Sequence, residues 1–335
     1  MKQYVILLSA IATCLLLICL PASAEMIYEY ALVDNHAEIT SFYFDGNMPV
    51  AEFPAYIDDC PVTTIGKYAF SFLDTSFCNV GKLVLPNTLI KIEEGALSNM
   101  SSMVKQVTIP SSLSDIGDFA FCDTTTTMFL PDDHPYLYKT GAFLVEKKTQ
   151  KAVYCEMTEQ NAAAIEVPEG ILILGTSLFD SWTALEKVIL PQSLIEIGDC
   201  AFFGCMSLTQ IVIPDNVKRI NYWAFRECYE LSEIDLPAGL LYIGQESFAG
   251  CSSLTELICP DELKVIEAGA FMQLDLTPEP GLRNLVLNDG LLYIGIDAFN
   301  GNQLETADFP DSIKYIGKNA FANNLAHINL GSEGK

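Results

Sequence analysis

Basic residues are scarce in this chain of 335 residues: 18 Lys and Arg stand against 43 Asp and Glu, giving a formal net charge of -25. That balance argues against a nucleic-acid partner, because phosphate binding needs a basic stripe. An acidic surface confers solubility and self-repulsion instead. Histidine is scarcer still, with only His36, His134 and His327. They are so widely spread that a nucleophile–imidazole site is not expected, and they are assigned to the surface. No Cys-x-x-Cys pair occurs, so zinc is not indicated. Phosphate loops and EF-hand-like or Gly-Gly-x-Gly-x-Asp calcium loops are missing too. No cofactor and no metal is expected.

Long apolar runs are confined to the N-terminus. Lys2 is followed by an almost wholly apolar stretch over residues 5–20, and Pro21-Ala22-Ser23-Ala24 precedes Glu25. This is the pattern of a secretory signal peptide, residues 1–24, cleaved before Glu25. The run falls short of the ~20 apolar residues that a spanning helix wants, and Ile18 before Cys19 is a poor lipidation signal. No membrane span is expected once the signal is removed. Cleavage takes Cys14 and Cys19 with it and leaves nine of eleven cysteines. An odd number in an exported chain is no tidy disulfide framework.

What is abundant is repetition. Pro191, Pro214, Pro237 and Pro260 are spaced by 23 residues, and Phe202, Phe225, Phe248 and Phe271 keep the same step, each 11 residues after its proline. A period in the twenties with aliphatics at fixed offsets marks a solenoid, whose units must stack to bury a core. Counting outward, Ala-Phe-like pairs also close on Phe70, Leu97, Phe121, Phe179, Phe299 and Phe321. Residues one and three before the proline are apolar, as in Ile211 and Ile213. Alternation places both on the inner face of a short parallel strand, which proline then ends. A glycine after the next aliphatic, as in Ile197-Gly198, is expected to permit a tight turn, and the phenylalanine to fill the rung. Cys205, Cys228 and Cys251 share the 23-residue step. Stacked in one column, they are expected as buried free thiols rather than disulfides.

Residues 25–60 have strand character without the repeat and form an expected N-terminal β cap. The solenoid then runs over residues 61–331. It is interrupted around residues 132–158 by one expected hairpin: strand over His134 to Val145, polar turn at Lys147-Lys148-Thr149-Gln150-Lys151, strand at Ala152-Val153-Tyr154-Cys155. Lys139, Lys147, Lys148 and Lys151 make it a basic patch. A shorter loop is expected at residues 278–281, a last strand at residues 327–330, and a tail at 332–335.

Leu208-Thr209-Gln210-Ile211-Val212-Ile213-Pro214, followed by Ala224-Phe225 and Cys228, resembles the repeat of the bacterial BspA-type leucine-rich repeat family, with Asn221 where glycine is usual. Residues 53–66 resemble that family's opening repeat, and residues 134–155 an insertion found in it. The resemblance implies a β-rich solenoid, a leucine-rich-repeat right-handed superhelix with a parallel sheet on one side and about ten repeats. It also implies a secreted or cell-surface protein that binds a protein partner, such as a host surface or matrix protein, in adhesion or host interaction.

The outward rows of the proline-ended strands are the candidate binding face. Two before the proline stand Ile189, Val212, Asp235 and Ile258; four before stand Lys187, Gln210, Glu233 and Glu256. The first row is more apolar than a solvated face needs, although β-propensity alone also favours such residues. Glu233, Asp235 and Glu256 cluster on adjacent rungs. Two further readings therefore stay open beside a non-catalytic binding protein. One is a secreted parallel β-helix polysaccharide-degrading enzyme working with paired carboxylates. The other is a structural spacer of the envelope without a specific ligand.

Overall fold

The computed structural model describes residues 24–70, 78–100, 103–122, 124–158, 162–274 and 281–324. The expected signal peptide, the loop at 278–280 and the last strand with His327 lie outside them. The described residues form β-strands and turns without a helix, and no helix is long and apolar enough to cross a membrane. The chain divides into two units, Met1–Pro135 and Tyr136–Lys335, each a stack of parallel rungs.

In the first unit the Glu25–Val33 and His36–Asp45 strands form an antiparallel hairpin. His36–Asp45 then pairs in parallel with Cys60–Ile65, which begins a ladder through Lys91–Ile92 and Asp115–Ile116. A second ladder runs through Met48–Glu52, Val80–Val84, Gln106–Thr108 and Thr127–Phe129.

The second unit repeats the scheme with greater regularity. Its proline-ended strands Ala164–Glu166, Lys187–Ile189, Gln210–Val212 and Glu233–Asp235 make a four-stranded parallel sheet, and Glu256–Ile258 pairs with Asn284–Val286 in a separate two-stranded one. The strand expected before Pro310 is not formed. A second, longer sheet joins the two-residue strands Ile173–Leu174, Glu196–Ile197, Arg219–Ile220, Tyr242–Ile243, Val265–Ile266, Tyr293–Ile294 and Tyr315–Ile316. Every rung of this unit from Ala164 to Ile294 thus carries strands on two sides, where one was expected. The inserted segment differs as well. Left-handed Gly141 splits its first half, so three antiparallel strands replace the expected two: Leu137–Thr140, Phe143–Glu146 and Lys151–Cys155. The last of these pairs in parallel with Ile173–Leu174 and so starts the long ladder.

The third side of each rung is the Ala-Phe turn, which is also hydrogen-bonded rung to rung. Phe202, Phe225 and Phe248 donate their N–H groups to Ala224, Ser247 and Ala270 at 2.8, 2.7 and 2.8 Å. In eight repeats the residue two before the aromatic position does the same, as Cys200 to Tyr222 at 2.8 Å and Glu246 to Ala268 at 2.9 Å. That residue is left-handed in every repeat, and all but Gly95 and Gly269 are non-glycine: Tyr68, Phe119, Ser177, Cys200, Trp223, Glu246, Asp297 and Asn319. Each such residue costs roughly 1–2 kcal/mol of backbone strain, offset by a ladder bond that a buried N–H would otherwise lack.

Inside the second unit the phenylalanines form a single spine. Rings 179, 202, 225, 248, 271, 299 and 321 stack with centroids 4.9 to 5.5 Å apart and planes within 19°. That separation is close to the ~4.8 Å spacing of paired strands. In the first unit Leu97 takes the aromatic position, and the rings of Phe42, Phe44, Phe53 and Phe70 instead meet tilted or edge-on.

The glycine column serves a different purpose from the one expected. Gly198, Gly244, Gly295 and Gly317 are not left-handed. A Cβ on Gly295 would sit 2.3 Å from the Ala268 nitrogen, and one on Gly317 2.3 Å from that of Ile296. Their role is close approach between rungs; the turn is made by the left-handed residue two positions on. Asn221 keeps its side chain in this column by donating to Glu196 Oε1 at 2.7 Å.

Two outcomes follow for thermal unfolding. Phe225→Ala removes a fully buried ring between two others and is expected to cost ~3–5 kcal/mol, lowering the melting temperature by several degrees; an unchanged circular-dichroism melt would contradict the spine. Gly295→Ala is expected to destabilise by ~1–3 kcal/mol through overpacking, and a melt at or above wild type would show that the rungs part without strain.

Candidate functional site

Alternation along the proline-ended strands decides which side chains reach solvent. In Lys187–Ile189, Gln210–Val212 and Glu256–Ile258 the middle residue is buried and both flanking residues are exposed. The outward row two before the proline, or before Asn288 in the repeat that lacks one, begins at Glu166 and is then largely apolar: Ile189, Val212, Ile258 and Val286 are 48, 66, 60 and 52 % exposed. Asp235 interrupts it. Parallel register sets Lys187 beside Gln210, Gln210 beside Glu233, and Val212 beside Asp235.

The ladder then breaks. No sheet pairing joins Glu233–Asp235 to Glu256–Ile258. A groove of about 760 Å³ lies at the break, and Val212, Glu233, Asp235, Glu256 and Ile258 line it. Five of the sequence-derived positions therefore meet around one concavity, whereas Lys187, Ile189 and Gln210 lie outside it. Asp215 and Asp261, each directly after a repeat proline, also line the groove. Strand alternation does not reach past the proline and so does not mark them; an acid after the proline in two of three successive repeats is the available signal.

The electrostatics of the groove are one-sided. Five carboxylates and no Lys or Arg line it. Such a rim with apolar flanks attracts cations and rewards apolar contact. Among the described residues no group of three or more His, Cys, Asp or Glu side chains converges as a metal site. The hairpin's basic patch is partly neutralised, since Lys139 Nζ lies 2.6 Å from Glu156 Oε1.

The histidines and thiols are placed elsewhere. His134 is not the surface residue expected: it is fully buried, and its Nε2 lies 2.9 Å from the Pro110 carbonyl, so that nitrogen carries the proton. His36 is half-buried in the first unit. All nine cysteines beyond the expected signal are free thiols. Cys205, Cys228 and Cys251 are buried in one column and donate to the carbonyls of Phe179, Phe202 and Phe225 at 3.2, 3.2 and 3.1 Å. Further along, Asn302 and Asn324 bond the Phe271 and Phe299 carbonyls in the same way. Burial pushes all three column thiols up from their ordinary range. Burial, reinforced by Asp180 and Asp199, pushes Cys200 up to about 12. A raised thiol pKa leaves little thiolate, so none of these is an activated nucleophile. Iodoacetamide at mildly alkaline pH is accordingly expected to modify half-buried Cys60, Cys78 and Cys122 in the native protein and to spare Cys205, Cys228 and Cys251 until denaturant is added. Peptide mass mapping reads the outcome, and native labelling of the column would contradict its burial.

A family model described as the BspA type leucine rich repeat region matches residues 63–159, 150–277 and 279–334. Among solved structures, the pneumococcal vaccine antigen PcpA superimposes with a TM-score of 0.59 at 20% identity, over 74% of this chain and 63% of that one. A leucine-rich repeat protein from Eubacterium ventriosum superimposes with a TM-score of 0.56 at 16% identity, over 94% of this chain and 98% of that one. This chain thus spans less than two thirds of PcpA's length. No curated protein matches. At such identities the structures speak for the fold alone; the family model covers most of the sequence, and the chain belongs to the BspA type leucine-rich repeat family.

Proposed function

We propose that this protein is an exported, non-catalytic recognition module that binds a protein partner through the outward face of its proline-ended strands, in adhesion or host interaction. The observation that carries the reading is the exposed apolar row. Ile189, Val212, Ile258 and Val286 each hold roughly half or more of their surface in water, on two short sheets whose middle residues on those strands are already buried. Exposed apolar pairs on neighbouring strands, Ile189 with Val212 and Ile258 with Val286, on an otherwise acidic protein mark contact surface. Parallel strands normally have both faces covered, so a bare face invites a partner. The family's repeats are generally protein-interaction modules, and PcpA, which shares the fold, is a vaccine antigen.

The signal-like residues 1–24 support export to the cell surface or medium, where such a face meets host or matrix proteins. Glu233, Asp235 and Glu256 serve as rim charges in this reading, setting encounter and orientation more than affinity.

The test is capture from host extracts. Ile189→Lys combined with Val212→Lys is expected to weaken binding by at least ~2 kcal/mol, roughly thirtyfold in Kd, with an unchanged melting curve. Intact capture by that variant would contradict the reading. So would turnover of an acidic polysaccharide that Glu233→Gln abolishes, which would restore the carbohydrase.

A further inference from the structure

The break between Glu233–Asp235 and Glu256–Ile258 is local. The repeat spacing does not change there: Phe248 and Phe271 remain 23 residues apart and stacked at 5.0 Å. On the second sheet Ile243 still pairs with Ile266. On the third side Phe248 N–H still donates to Ala270 at 2.8 Å. Two of three sides hold the rungs together, and only the proline-ended side opens.

What the opening uncovers is core. Ile234 and Leu236 point inward like their neighbours but are only half-buried. The equivalent Ile211 and Ile213 in the preceding rung are 2 and 3 % exposed, and Leu257 in the following one is 2 %. Both half-buried residues line the groove, together with Cys259. Cys259 occupies the column position held by Leu190, Ile213 and Leu236 in the three preceding rungs. Its smaller side chain leaves space where those fill it, which is a physical reason for the gap.

We propose that this groove docks an extended, cationic segment of a partner protein in which lysine or arginine alternates with aliphatic residues. The proposal rests on the sheet face being the recognition surface and specifies the partner's chemistry. Each requirement comes from one feature of the groove. The facing edges of two short strands offer backbone groups without a ladder partner, which an extended chain satisfies. The floor of Ile234, Leu236 and Cys259 takes aliphatic side chains and gives a purely ionic ligand nothing to bury. The rim of Glu233, Asp235 and Glu256, with Asp215 and Asp261 beyond, takes cations and repels acidic chains and nucleic acids. Successive side chains of an extended segment point to opposite sides, so strict alternation presents one kind to the floor and the other to the rim.

The test uses the full chain and a fluorescently labelled synthetic peptide of alternating lysine and valine, read by anisotropy. The combined Glu233→Gln, Asp235→Asn and Glu256→Gln variant is expected to bind it about tenfold more weakly. Glu262→Gln, Glu305→Gln and Asp308→Asn together change the net charge equally at residues that do not line the groove, and are expected to bind as wild type. A lysine–glycine peptide is expected to bind more weakly than the lysine–valine one. Equal weakening by both variants would reduce the effect to net charge and overturn the proposal. Equal affinity for the two peptides, or no binding of either, would overturn it too. The assay contains no host protein, so its failure is distinguishable from that of the broader reading. Peptide binding lost while host capture persists removes the groove alone; peptide binding retained while host capture is absent supports the groove and removes host recognition.

Discussion

Backbone hydrogen bonding between successive rungs is the constraint from which the rest follows. Paired chains lie ~4.8 Å apart, and here the pairing runs along three sides of the rung. Once that spacing is fixed on all sides, any residue type recurring every 23 positions is delivered into a column at the same pitch. The phenylalanine spine is the clearest product. Its rings lie nearly parallel because the backbone allows them little else. Isolated aromatic pairs favour offset or edge-on meetings, and in the first unit, where Leu97 interrupts the column, the rings revert to tilted and edge-on contacts.

The same pitch governs the polar seams. A phenylalanine carbonyl that turns inward must find a donor, since a buried orphan costs about 1–3 kcal/mol. Cysteine supplies it from Cys205 through Cys251, and asparagine at Asn302 and Asn324. Cysteine and asparagine have little in common except that each is small and can donate at that point. The column thiols, expected as buried and free, are both, and hydrogen-bond donors besides. Stability in such an array is the sum of rung and nearest-neighbour terms, so one altered residue is felt by the rungs above and below it.

Much of this was legible in the sequence because the residues involved are chemically distinctive. Proline ends strands wherever it occurs, and phenylalanine in a fixed register has nowhere to go but the core; the exposure of Val212 and Ile258 followed from simple alternation. Other features were hidden for physical reasons. The second sheet is built from two-residue strands such as Glu196–Ile197, too short for any periodicity to register. The left-handed column contains Cys200, Trp223, Glu246 and Asp297, whose side chains share nothing, because the requirement falls on the backbone. Gly198 and its equivalents looked like turn residues and proved to be points of close approach. Gly141, in contrast, does turn the chain and was passed over inside an apolar run. His134 was placed at the surface because a lone polar residue beside Pro135 gives no hint of a buried carbonyl at Pro110.

A regular stack has few ways to become specific. Its columns present the same surface from rung to rung, so a distinctive site has to arise where the repeat departs from itself. Around the groove three departures coincide: Asp235 between the β-branched Val212 and Ile258, Cys259 following the larger Leu190, Ile213 and Leu236, and the lost pairing between Glu233–Asp235 and Glu256–Ile258. Leaving Ile234 and Leu236 half-exposed forfeits roughly 25 cal/mol for every Å² of apolar surface kept in water. The fold tolerates that loss because the spine, the long sheet and the Ala-Phe ladder hold the two rungs independently of the face that has opened. The regularity of two sides is what allows irregularity on the third, and the third side is where recognition has room to develop.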